Sequence, residues 1–309
     1  MSHLDDAKAA SVSSNSQFVR NNKLFLLAIA GITLVFIIPL AKLIQLSLNT
    51  ELYSHILLIP IVSLYFAWDK RNQKSFNNSK LNRSNGLTTV LILLAITSAS
   101  TAFILENAGQ LVSIDDRLAI TLLPYVLLIA AAGSHFLGVN AIKTHLFSFA
   151  FLVFLLPMPL FLQHWINTFF QYTSAETSYQ FIKAIQIPIY RDHPLSFELP
   201  TISLQVAPEC SGIRSSLVLF ITSIVAGELF LRSKWKRLLL IVFVIPLAIF
   251  RNGLRIVTIA YLCVEYGPHM IDSWVHRQGG PLFFLVSLAP FFAVLLFLWR
   301  LEKRKLPFS

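Results

Sequence analysis

Residues 238–262 read LLLIVFVIPLAIFRNGLRIVTIAYL and follow directly on the basic string RSKWKR at 232–237. A helix crosses the hydrocarbon core of a bilayer in about 20 apolar residues, so this run is long enough to span. Basic residues at its start mark the cytoplasmic end. Polar residues break the run in its second half, at Arg251-Asn252-Gly253-Leu254-Arg255. Arginine within a spanning segment is costly, so its presence signals function. Counted from Arg237 at ~1.5 Å per residue, Arg255 lies about 27 Å along the helix, near the outer boundary.

The rest of the chain agrees with a membrane reading. It is 55% hydrophobic and 13% charged, with 26 Phe among 309 residues. Soluble domains carry about 25% charged residues, so too little polar surface is left to coat a protein of this size in water. About eight segments approach spanning length: Leu24–Leu46, Leu52–Trp68, Leu87–Leu105, Leu118–Val139, Leu146–Leu162, Ile213–Leu231, Leu238–Leu262 and Pro281–Trp299. The second and fifth are short and hold Pro60, and Pro157 with Pro159. The fold expected is an all-α polytopic membrane protein.

The net charge of +10 would suit nucleic acid in a soluble protein, but the basic residues lie between the apolar runs. Lys8, Arg20 and Lys23; Lys70, Arg71, Lys74, Lys80 and Arg83; Lys143; Arg232, Lys234, Lys236 and Arg237; and Arg300, Lys303, Arg304 and Lys305 occupy the N-terminal tail, alternate loops and the C-terminus, 17 of the 25 basic residues. The intervening loops carry acids such as Asp115, Asp116 and Asp272. The positive-inside rule then places both termini in the cytoplasm. Residues 1–23 read as a disordered cytoplasmic tail, 24–300 as the transmembrane domain and 301–309 as a second basic tail. The run from Leu24 exceeds a signal-peptide core and is expected to stay as an anchor.

The longest outer loop covers residues 163–211. Gln163–Ile187 is expected to form a helix on the outer leaflet, with Trp165, Phe169, Phe170 and Tyr172 at the interface. Phe197 and Leu199, then Ile202, Leu204 and Val206, alternate about Pro200-Thr201 and predict a β-hairpin before the sixth helix.

Three ionisable groups converge on the outer boundary. Cys210 precedes the sixth helix at Ser211-Gly212-Ile213, Arg255 lies near the outer boundary on the seventh, and His276 precedes the eighth. A helix N-terminus favours the thiolate, and Gly212 would let a substrate backbone approach. Histidine can move a proton between thiol and leaving amine, and a fixed guanidinium can stabilise an oxyanion. Each has a plainer alternative. Cys210 could be inert or disulfide-bonded to Cys263. The arginines, four apart on one face, could snorkel or pair with Glu209, Glu228 or Glu265. His164, His193 and His269 share the outer side with His276. No P-loop, dinucleotide glycine motif or His/Glu metal pair is present, so neither metal nor organic cofactor is expected.

Pro208-Glu209-Cys210-Ser211-Gly212-Ile213 resembles the cysteine motif of the exosortase/archaeosortase family. Asn252-Gly253-Leu254-Arg255 is similar to its Asn-x-x-Arg motif, and His276 with Gly280 to its His-x-x-x-Gly motif. Tyr53-Ser54-His55, followed by Ile59-Pro60, is a fourth match. The resemblance implies a bacterial inner-membrane cysteine protease/transpeptidase. Its substrates would be exported proteins with PEP-CTERM-like C-terminal signals (a short motif, a transmembrane helix and a basic tail), cleaved at the outer face. It further implies catalytic roles for Cys210, Arg255 and His276, with Glu209, Gly212 and Asn252 in support, and a link to exopolysaccharide and biofilm loci. Arg251 is not in the motif position and is given only a supporting role. The competing expectation is a transporter or polysaccharide-export component using the intramembrane arginine pair.

Overall fold

The computed structural model describes residues 20–69, 85–110 and 113–303. Most of the N-terminal tail, the basic loop with Lys70 to Arg83, and Arg304 and Lys305 therefore lie outside the described residues. Among those described, six helices are long and apolar enough to cross a membrane, or up to eight if each of two bent pairs is one span. The chain divides into two compact units, the first ending at Leu160 and the second beginning at Phe161.

The first unit holds α1 (Arg20–Val35), α2 (Ile37–Asn49), α3 (Ile59–Asp69) after a 3-10 turn at Glu51–Leu58, α4 (Asn85–Asn107), α5 (Ile114–Phe136), α6 (Val139–Thr144) and α7 (Leu146–Phe151). The sequence predicted one helix over Leu24–Leu46, whereas α1 and α2 meet at a 73° bend around Phe36. Pro39 explains the break: it has no N–H to offer the Val35 carbonyl, and its ring crowds that turn. The α4 and α5 helices run antiparallel, and Thr88 Oγ1 lies 2.7 Å from Ser134 Oγ at their shared end. Ser113 caps α5, its Oγ accepting from Asp116 N at 3.0 Å. Buried Tyr53 donates its hydroxyl to Asp115 Oδ2 at 2.8 Å. The fifth predicted span loses its helix at Leu155, before Pro157 and Pro159, and a new helix starts at Leu160.

In the second unit α8 (Leu160–Ala184) leads into three short strands: β1 (Tyr190–His193), β2 (Ser196–Glu198) and β3 (Ser203–Gln205). All pair antiparallel in the order β1-β2-β3. The predicted hairpin is β2–β3, with Phe197 opposite Leu204 and both buried. The first strand escaped the sequence reading because YRDH shows no apolar alternation. Phe197 and Val206 pack with Ala175 of α8, while Leu199 and Leu204 pack with Ile182.

The helices α9 (Ile213–Phe230), α10 (Lys234–Tyr266) and α12 (Gly280–Lys303), with the short α11 (Trp274–Gln278), complete the unit. Leu219, Leu240, Val244, Phe291 and Leu295 form their common core. At the basic end Glu228 pairs with Arg237 across the α9–α10 turn. There Glu302 of α12 accepts from Arg232 N and Ser233 N at 3.0 and 2.8 Å. Pinning the three helices at this end brings the start of α9, the far part of α10 and the start of α12 to the opposite end.

Candidate active site

Cys210 sits in a 3-10 turn, Pro208–Ser211, that the hairpin delivers to α9. Its side chain is half-buried against the cluster of Ala175, Phe197, Val206 and Ile256. Gly212 then takes φ +76°, a left-handed conformation that an L side chain resists, and α9 begins. The turn is held from two helices. From α8, Gln171 Nε2 donates to Val206 O at 2.5 Å, and Ser211 Oγ donates to Asn167 Oδ1. From α10, Asn252 Nδ2 donates to Cys210 O at 2.7 Å, and Arg251 Nη2 to Gly212 O at 3.3 Å and Ser216 Oγ at 3.2 Å. A Cβ on Gly212 would stand 2.9 Å from Asn252 Oδ1 and 3.2 Å from Arg251 Nη2, so the close approach depends on glycine.

His276 lies on α11 with Nε2 4.0 Å from Cys210 Sγ. Its Nδ1 is 2.6 Å from Ile271 O. A carbonyl only accepts, so Nδ1 carries a proton, and in the neutral ring Nε2 then presents a lone pair to the thiol. The backbone thus fixes the tautomer without a carboxylate. Arg255 Nη2 donates to His276 O at 2.9 Å, which ties α11 to α10. Arg255 Nε is buried without a hydrogen-bond partner among the described residues.

The structure therefore brings the side chains of Cys210 and His276 together, with Arg255 on the carbonyl of His276 and Gly212, Arg251 and Asn252 packed at the turn that carries Cys210. The side chain of Glu209, expected to support the site, lies outside the described residues. Neither cysteine is in a disulfide, and Cys263 is fully buried in α10. Glu228, one carboxylate considered for the arginine pair, is taken by Arg237. His193 Nδ1 accepts from Leu195 N at 3.4 Å within its own turn. His55 belongs to the first unit, where its Nδ1 is buried without a partner among the described residues. Asn167 and Gln171 were missed. They lie four residues apart on one face of α8, and that polar pair in an aromatic-rich helix was the available signal. The Ile271 carbonyl gave no side-chain signal at all. No group of His, Cys, Asp or Glu able to hold a metal occurs among the described residues.

Fold and site together define a polytopic helical membrane protein with a thiol–imidazole pair and a guanidinium at one end of its helices. The transmembrane exosortase family profile matches residues 47–293, which takes in all of these groups. The chain belongs to that family. No curated protein and no solved structure matches it.

Proposed function

We propose that the protein is a membrane cysteine endopeptidase/transpeptidase. It would cleave exported proteins at C-terminal PEP-CTERM-like signals, at the outer face of the bacterial inner membrane, with both termini in the cytoplasm. The observation that carries the reading is the Cys210–His276 pair, in which a backbone carbonyl sets the imidazole to accept the thiol proton.

His276 Nε2 takes the proton as Cys210 Sγ attacks the scissile carbonyl carbon. The oxyanion that forms is stabilised by the Arg255 Nε–H, which has no hydrogen-bond partner among the described residues. On collapse the C–N bond breaks, and the leaving amine takes the proton from His276 Nε2. The thioacyl enzyme remains. Water or an acceptor amine then attacks, His276 removing the proton from the incoming group and returning it to the departing thiolate. The 4.0 Å separation is longer than a strong S–H···N bond, and apo sites of this type close further on substrate. The alternative, a transporter or polysaccharide-export component that holds an anion on the Arg251/Arg255 pair, leaves the approach of His276 Nε2 to Cys210 Sγ without a role.

The test is processing of a co-expressed reporter ending in a PEP-CTERM-like signal by wild type and Cys210→Ala at matched membrane levels. Shortening by wild type alone is expected. Shortening by both would overturn Cys210 as nucleophile.

A further inference from the structure

The three-stranded sheet has two edges, and they are built differently. At the first, β1 carries Arg191, Asp192 and His193, and its register with β2 shifts between Tyr190 and His193. Charge and a register shift both keep an edge strand from pairing further. At the second, β3 reads Ser203-Leu204-Gln205, uncharged and in unbroken register with β2.

The register decides which backbone groups that second edge offers. Leu199 N donates to Ile202 O at 3.0 Å, and Val206 N to Leu195 O at 2.8 Å. Hydrogen-bonded pairs alternate along an antiparallel ladder, so Phe197–Leu204, midway between those two, is a bonded pair as well. Leu204 therefore turns its N–H and C=O to β2, whereas those of Ser203 and Gln205 point away from the sheet. None of these four groups has a hydrogen-bond partner among the described residues. Ser203 and Gln205 are both exposed, while Leu204 between them is buried.

This edge leads to the nucleophile. Beyond Gln205 the chain stays extended through Ala207, and one 3-10 turn then carries it to Cys210. At ~3.3 Å per extended residue and ~2 Å per 3-10 residue, Gln205 is at most about 13 Å from Cys210. About four extended residues of a second chain cover that distance.

We propose that the free edge of β3 pairs with the extended stretch of the substrate that leads to the scissile bond, about four to six residues ahead of it. The proposal rests on the protease/transpeptidase reading and adds how the polypeptide is led to the thiol. The helix after the reactive turn, α9, is long and apolar enough to cross a membrane, so β3 runs toward the bilayer. The substrate chain runs the same way, from its exported part to its membrane anchor, so the added strand is parallel to β3. Strand addition of this kind draws its affinity from main-chain hydrogen bonds. Ser203 and Gln205 supply two donors and two acceptors at the two-residue spacing on which an incoming strand turns its own groups to one side.

The outward N–H can be removed without touching the hairpin ladder. Gln205→Pro deletes it, and proline is accepted on an edge strand whose N–H faces out. Gln205→Ala keeps the N–H and is the reference for the lost side chain. The probe is the reporter ending in a PEP-CTERM-like signal, with KM and kcat of shortening measured at matched membrane levels. Gln205→Pro is expected to show a KM roughly 5- to 10-fold above that of Gln205→Ala, with kcat within about twofold. Equal KM values, or a loss confined to kcat, would overturn the proposal. Photocrosslinking reads binding without turnover: the full-length Cys210→Ala protein carries benzoylphenylalanine in place of Ser203, or of exposed Asp192 on the opposite edge. Reporter adducts from position 203 and none from position 192 are expected; equal adducts, or none, count against pairing on β3. Cys210-dependent processing with neither the KM difference nor the adduct rejects the edge and keeps the enzyme. Adducts from position 203 with no processing by wild type do the reverse.

Discussion

Gly212→Ala puts one methyl group where the structure has no room for it. Gly212 holds φ +76°, and a left-handed conformation costs an L residue roughly 1–2 kcal/mol. The new Cβ would lie 2.9 Å from Asn252 Oδ1 and 3.1 Å from its Cγ, so the amide must swing away. That movement removes its 2.7 Å bond to Cys210 O, worth about 1 kcal/mol net. The total of about 2–3 kcal/mol falls on the reactive turn rather than on the α9–α10–α12 core, which is built around Leu219, Leu240 and Phe291. The protein should therefore still reach the membrane in normal amount. A reacting atom displaced by about 1 Å can lose on the order of 10²-fold in rate, and that is the size of loss expected. The assay is the initial rate of reporter shortening at matched membrane levels. Gly212→Asn separates the two causes, because asparagine tolerates the left-handed conformation but still brings a Cβ. It should be nearly as slow. If Gly212→Ala processes the reporter at the wild-type rate, the close packing of Gly212 on Asn252 and Arg251 has no bearing on catalysis and the reasoning fails.

Asn252→Ala leaves the Cys210 carbonyl without its donor, at about 1–3 kcal/mol, so reporter shortening should slow roughly 10- to 100-fold. Asn252→Asp should be slower still, because an ionised carboxylate sets two acceptors face to face, and the same assay ranks the two. At the start of α12 the neighbouring glycines should differ. A Cβ on Gly280 meets nothing within 4 Å, whereas one on Gly279 falls 2.2 Å from Val275 O. Gly280→Ala should process normally and Gly279→Ala poorly; the reverse order would mean that the α11–α12 joint is not what limits the placement of His276.

The spans were legible because hydrocarbon admits few structures: long apolar runs must be helices, and the eight predicted segments correspond to six helices and two bent pairs. Breaks were not legible. The fifth predicted segment ran through Pro157 and Pro159, yet the helix stops at Leu155 before them, and Pro39 was passed over in the first segment, where uninterrupted hydrophobicity masked the lost hydrogen bond. The β2–β3 hairpin was readable from alternation about Pro200-Thr201, and β1 was not, since its edge strand buries no apolar row. Within the site, side chains with unusual chemistry for their depth stood out: Cys210, Arg251, Arg255 and His276. What holds them in place stood out only in part, through Gly212 and Asn252. The Ile271 carbonyl is common to every residue type, and Asn167 and Gln171 act across a distance of about forty residues that only the fold closes.

The spacing Asn252-x-x-Arg255 has a geometric reason. Residues three apart on a helix share a face, so the two side chains leave α10 in nearly the same direction, one turn apart. Asn252 grips the carbonyl of Cys210 at the start of α9, and Arg255 grips the carbonyl of His276 on α11. Both contacts go to backbone oxygens, so α10 fixes where two otherwise separate turns lie without using up either reactive side chain. The thiol and the imidazole are then positioned against one rigid stretch of helix rather than through the loops between them, although the residues are 66 apart in sequence. A spacing of two or five would turn one of the grips to the opposite side of α10 and release one partner. The same face explains the division of labour within Arg255. Nη2 is committed to the histidine's backbone, which anchors the guanidinium plane, and the buried Nε–H, without a partner among the described residues, is the donor that the proposed mechanism assigns to the oxyanion.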